Sequence, residues 1–125
     1  MNKQLRMDPE VKARWVKALK SGDYQQAEGA LVKDARHCCL GVLCDMFAKD
    51  HGLKTWNSAT LGREGDDLPG DEVCGWAGFP NEGGMFFARH YDPYVVIDGE
   101  NRPLSSHNDK GVPFARIAQA IEEQL

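Results

Sequence analysis

Apolar residues return at helical spacing near both ends of the chain, and between them lies a run with hardly a polar face. At the start, Asp8-Pro9-Glu10 has the form of a helix entry. An acid caps the first N–H groups, a proline sits where no N–H bond is needed, and a second acid faces the positive dipole end. Val11, Trp15, Ala18 and Leu19 then fall at i, i+4, i+7 and i+8, which puts them on one stripe facing a core. Ser21-Gly22 predicts the end of this helix. Its other face carries Lys12, Arg14, Lys17 and Lys20, a basic row that is ordinarily just solvated.

The run Cys38-Cys39-Leu40-Gly41-Val42-Leu43-Cys44-Asp45-Met46-Phe47-Ala48 is apolar on nearly every side. That pattern predicts a helix at the centre of a domain, with Gly52 just past its end. Gly41 inside it costs about 1 kcal/mol against alanine, which implies close approach by a neighbouring backbone. Upstream, Tyr24 to Lys33 reads as a polar connection or short strand whose apolar part is Ala30-Leu31-Val32. Between Leu53 and Gly84 periodicity fails, and short strands or a helical turn pinned by Trp56 and Trp76 are expected. Tyr94-Val95-Val96-Ile97, the turn Asp98-Gly99-Glu100-Asn101 and the edge segment Arg102-Pro103-Leu104 form a predicted hairpin. Asn108-Asp109-Lys110-Gly111 reads as a second turn, and Pro113 opens a last helix with the stripe Phe114, Ile117, Ala118, Ile121 and Leu125. The fold class that follows is α+β: a buried central helix, flanking N- and C-terminal helices, and a small antiparallel sheet. Residues 1–125 form one domain.

Composition narrows the function classes. A chain of 125 residues buries roughly two-thirds of its unfolded surface, so a core needs neither metals nor disulfides. An apolar share of 42% argues against disorder. No apolar run approaches the roughly 20 residues that span a bilayer, and Met1 to Arg6 leads into no apolar segment of the kind a secretory signal needs. A cytoplasmic protein without membrane or cofactor is therefore expected. The net charge of −4 argues against a nucleic-acid partner. The charge is uneven: residues 1–37 carry eight Lys/Arg against five Asp/Glu, whereas Arg63 stands among Glu64, Asp66, Asp67, Asp71, Glu72 and Glu82. Cys38, Cys39, Cys44 and Cys74 form no C-x-x-C, and a zinc site from His37, a helix cysteine and Cys74 matches no standard spacing. Buried reduced thiols are the expected state.

Three segments in order carry a resemblance: residues 14–26 (Arg-Trp-Val-Lys-Ala-Leu-Lys-Ser-Gly-Asp-Tyr-Gln-Gln), the run Cys38 to Cys44, and residues 108–118 (Asn-Asp-Lys-Gly-Val-Pro-Phe-Ala-Arg-Ile-Ala). Together they resemble a family of small proteins encoded by tailed bacteriophages, over the first and last thirds of the chain. The chain departs from that pattern at Ala27, where the family has glycine, and at His107, where it has an apolar residue. The resemblance implies a phage origin and the host cytoplasm as the place of action.

Three function classes compete. A papain-like cysteine hydrolase would use Cys38 at a helix N-terminus with His107 or His90 as base, although core packing also accounts for the cysteines. A non-catalytic nucleotide binder would use Arg36 and His37 before the central helix and Asn108 and Asp109 before the last one, where free N–H groups attract anions. Tyr24 or Trp76 would stack on the base, and Gln26 would read its edge. A protein-binding inhibitor of a host defence complex, or a homo-oligomeric accessory protein, is the third class. The favoured expectation is an anti-defence protein that sequesters an anionic, nucleotide-type immune signal, by analogy with other small phage proteins.

Overall fold

The computed structural model describes residues 7–28, 32–33, 36–52, 71–78 and 93–125. Trp56, His90, Ala30-Leu31 and most of the acidic stretch lie outside them. Helix α1 (Pro9–Lys20) opens as its sequence dictates, since the Asp8 carboxylate accepts from the N–H groups of Glu10 (2.9 Å) and Val11 (3.1 Å). Its end is Ser21 followed by Gly22 in the left-handed region, φ 84°. Strands β1 (Val32–Lys33) and β2 (Arg36–His37) form a minimal antiparallel pair, and Gln26 makes an isolated bridge to His37. Helix α2 (Cys39–Asp50) follows, and the Cys38 thiol caps it by accepting from the Gly41 N–H.

Helix α2 is the centre of the molecule. Cys39, Leu40, Val42, Leu43 and Cys44 are all 0% exposed. The reason is the one visible in the sequence, for the stretch from Cys39 to Cys44 has no polar side to give to water. Trp15 of α1 is equally buried and donates its indole N–H to the carbonyl of Cys39 at 2.9 Å. Helix α1 lies against both α2 and α5 (Phe114–Gln124), whose stripe Phe114, Ile117, Ala118 and Ile121 is buried with it.

The region without periodicity contains one helical piece, α3 (Asp71–Ala77), which buries Val73, Cys74 and Ala77 against the core. It is tied to the entry of α1 by a 2.8 Å bond from the Asp8 N–H to the Ala77 carbonyl. Gly78 makes this approach possible: its φ is 74°, and a Cβ there would sit 2.7 Å from the Asp8 nitrogen. The hairpin β3 (Tyr94–Ile97) and β4 (Glu100–Pro103) is antiparallel with Ile97 opposite Glu100. Only Asp98 and Gly99, both at positive φ, make the turn, so β4 begins inside the four-residue turn expected from sequence. The Gln124 carboxamide closes the outer edge of β3 at Val96, donating to its carbonyl and accepting from its N–H, both at 2.8 Å.

One segment differs in kind from its sequence reading. Asn108 and Asp109 end a short helix, α4 (Leu104–Asp109), and do not precede a helix as an open turn. Leu104, His107 and Asn108 are its buried face, and the serines between them hide that spacing in the sequence. Gly111 at φ 90° terminates it, with its N–H bonded to Asn108 and the Val112 N–H to His107, both at 3.1 Å. The architecture as a whole is the expected α+β arrangement.

Candidate functional site

Two polar clusters flank the segment from Tyr24 to Ala27, and the residues singled out from sequence divide between them. The first is inside. The Asn108 side chain, 0% exposed, accepts at Oδ1 from Gln26 Nε2 (3.0 Å) and from the Cys39 N–H (3.2 Å). Its Nδ2 donates to the Ala27 carbonyl at 2.6 Å, and Gln26 Nε2 also reaches the Val112 carbonyl at 2.7 Å. These amides tie the 24–27 segment, the start of α2 and the end of α4 together. The first N–H groups of α2 are therefore taken, Cys39 by Asn108 and Gly41 by Cys38. An anion at that helix end would find no donor at either position, and the surrounding residues Cys38 to Leu40 are buried. Arg36 is exposed on β2 opposite Lys33, and Asp109 is exposed at the end of α4.

The second cluster is at the surface. Residues of α1, of the segment after it and of α2 enclose a groove of about 460 Å³, lined by Arg14, Lys17, Ala18, Ser21, Asp23, Tyr24, Met46 and Lys49. Ala18, Met46 and the Tyr24 ring give it an apolar floor, and the cations stand at the rim. Arg14 forks onto Asp50 with bonds of 2.8 and 2.7 Å, which holds the guanidinium charged and keeps the Asp50 carboxyl below the usual range. The Tyr24 hydroxyl donates to Asp45, and Lys49 lies 3.2 Å from the same carboxylate and 5.5 Å from the centre of the Tyr24 ring. Burial, then the bond to Asp45, raises the Tyr24 phenol, so it stays a neutral donor. The bonds to Asp45 and Tyr24 keep Lys49 protonated.

His37 stands edge-on to the Tyr24 ring, with centroids 5.1 Å apart, and burial lowers its pKa. Trp76 is elsewhere, packed edge-on against Phe47 with centroids 5.4 Å apart and near His51. The structure thus brings Tyr24, Gln26, His37 and Asn108 into one neighbourhood but separates them by role. Sequence reading missed Asp45, Lys49 and Asp50: Asp45 falls within the run that is apolar on nearly every side, and the other two just beyond it. A signal was present: Asp45 and Lys49 stand at i, i+4 on the one polar stretch of α2, and Arg14 of the basic row of α1 pairs with Asp50 of the same stretch.

Cys38 and His107, the pair named for cysteine hydrolysis, are both buried. Cys38 is 3% exposed and its sulfur accepts from Gly41, while His107 is 2% exposed and bonded through Nε2 to the Val95 carbonyl at 2.9 Å. All four cysteines are buried free thiols, and burial pushes the Cys44 thiol well up, which favours its neutral form. Among the described residues no three His, Cys, Asp or Glu side chains gather in a way that would hold a metal ion. No helix among them is long and apolar enough to cross a membrane.

Fold and site together define a small α+β domain with a half-apolar, cation-rimmed surface groove. The chain belongs to the family described as Domain of unknown function (DUF8296), whose model matches residues 7–125. No curated protein and no solved structure matches it.

Proposed function

We propose that this protein binds an anionic, nucleotide-type small molecule in the groove between α1 and α2 without transforming it. The phage resemblance sets the biological reading: an anti-defence protein that sequesters an immune signal in the host cytoplasm. One observation carries the binding reading, the joining of an apolar floor with an aromatic ring to a rim of Arg14, Lys17 and Lys49. A base or similar ring has a face to lie on, and a phosphate has donors beside it. Asp23 at the mouth offers a carboxylate to the hydroxyls of a ribose. The volume is at the small end of the range for ligand sites, which suits a single nucleotide unit.

The test is calorimetry on the folded protein with adenine and guanine nucleotides. Binding in the micromolar range or tighter is expected, with the nucleotide recovered unchanged. Tyr24→Ala should weaken it by about 1–3 kcal/mol, the scale of one stacked base. Binding that survives both Tyr24→Ala and Lys17→Ala would remove the groove from consideration. A second reading, inhibition of a host defence protein, is favoured by the outer face of β3, where Tyr94 and Val96 are 61% and 48% exposed. It would be recognised by a partner whose binding is lost in Tyr94→Ser and unaffected in Lys17→Ala.

A further inference from the structure

The cations of the groove do not have equal freedom to meet a ligand. Arg14 already shares two hydrogen bonds with Asp50. Lys49 faces Asp45, which also receives the Tyr24 hydroxyl. Lys17 has no carboxylate within ion-pair distance among the described residues. Asp23 adds a further negative charge to the lining. Arg14, Lys17 and Lys49 are thus matched, charge for charge, by Asp23, Asp45 and Asp50. The local field is nearly balanced, and a ligand feels it that way because close opposite charges largely cancel beyond a few ångströms.

Resting on the groove as the binding site, we propose that it selects a singly charged anion carried on an aromatic body and disfavours polyphosphates. Asp45 and Asp50 are the residues that set this limit. A single negative charge pairs with Lys17. Arg14 keeps further N–H donors beyond the two spent on Asp50, and it lends them without breaking that pair. Each additional phosphate charge must instead approach Asp23, Asp45 or Asp50, or pull a cation away from its carboxylate. Both cost affinity. Phosphodiester and carboxylate heads share the required chemistry, and the experiment separates them.

The measurement is calorimetry on the full chain, free of divalent metal, with 3′,5′-cyclic AMP, AMP, ATP and an aromatic carboxylate, 4-hydroxybenzoate. The expected order places cyclic AMP ahead of AMP and AMP ahead of ATP. If 4-hydroxybenzoate binds as well as cyclic AMP, the head group is read as charge alone; if it binds far more weakly, a phosphodiester is required. Both results support selection for a single charge. Asp50→Asn keeps the shape of the pair and removes one negative charge, so ATP should gain about five- to tenfold relative to cyclic AMP. Asp45→Asn should act in the same direction and serves as the second variant. Tighter binding of ATP than of cyclic AMP by the native protein would overturn the inference while leaving the groove as the site. An Asp50→Asn gain of equal size for every ligand would do the same. Absence of binding by all four, with the fold verified by circular dichroism, would remove the groove reading and this inference with it.

Discussion

The buried amide knot around Asn108 and the open groove around Tyr24 are built from neighbouring stretches of chain and similar chemistry, yet they serve opposite ends. In the knot, the Asn108 oxygen and both sides of the connection are matched by Gln26, Cys39 and Ala27, and the side chain has no contact with water. In the groove, the Lys49 side chain is 72% exposed and Lys17 lacks a carboxylate partner among the described residues. Donors that are spent hold a fold, and donors left over recognise something. Residue type alone does not separate the two, because asparagine and tyrosine each carry hydrogen-bonding groups that can serve either a fold or a ligand. Accounting for each polar atom does.

The comparison breaks most readily at the knot. Asn108→Ala strands the Cys39 N–H and the Ala27 carbonyl in a dry interior, while Gln26 keeps only its bond to Val112, and unsatisfied buried groups cost about 1–3 kcal/mol each. A loss of roughly 3–5 kcal/mol is expected in urea unfolding. A loss below about 1 kcal/mol would mean that water reaches the knot. Leu43→Ala in the adjoining core should cost roughly 2–5 kcal/mol by lost burial plus a cavity, measured in the same way.

A smaller effect should appear with pH. Burial lowers the His37 pKa in the folded protein below its ordinary value, so the unfolded chain binds the proton more readily. Stability contributed by neutral His37 is complete above about pH 6.5 and declines as pH falls from there toward the lowered folded value. Asp45 works against this shift and Lys49 with it. The melting temperature should therefore fall more between pH 7.5 and 5.5 in the native protein than in His37→Gln. The smallest stability effect is expected for Lys17→Ala, within about 0.5 kcal/mol, since its side chain is exposed on α1. Ligand binding should nevertheless be lost or much weakened. That is the reverse of the Asn108→Ala signature.

Much of the fold was legible because local chemistry and burial agree. Asp8-Pro9 starts α1, Cys39 to Ala48 lies inside α2 with Cys38 as its cap, and the stripe from Phe114 to Ile121 is the buried face of α5. Asn108-Asp109 was less legible, because a polar run before glycine fits both an open turn and the end of a short helix. Only the burial of Leu104 and His107 decides for the helix. The site was legible in part. Tyr24 and the basic row of α1 stand out in the sequence, but the groove exists only where they meet Met46 and Lys49 of another helix. Likewise Asp50 gains its role from Arg14, which lies 36 residues earlier. Pairings at that separation leave no local pattern to read.

The division between knot and groove is tested most directly by following backbone amide resonances during titration with 3′,5′-cyclic AMP. Shifts should concentrate on residues 14–24 and 46–50, with the Gln26, Cys39 and Asn108 amides and side-chain amides nearly still. Shifts centred on Arg36, Asn108 and Asp109, with Lys17, Tyr24 and Lys49 unchanged, would contradict the account and place recognition at the amide cluster.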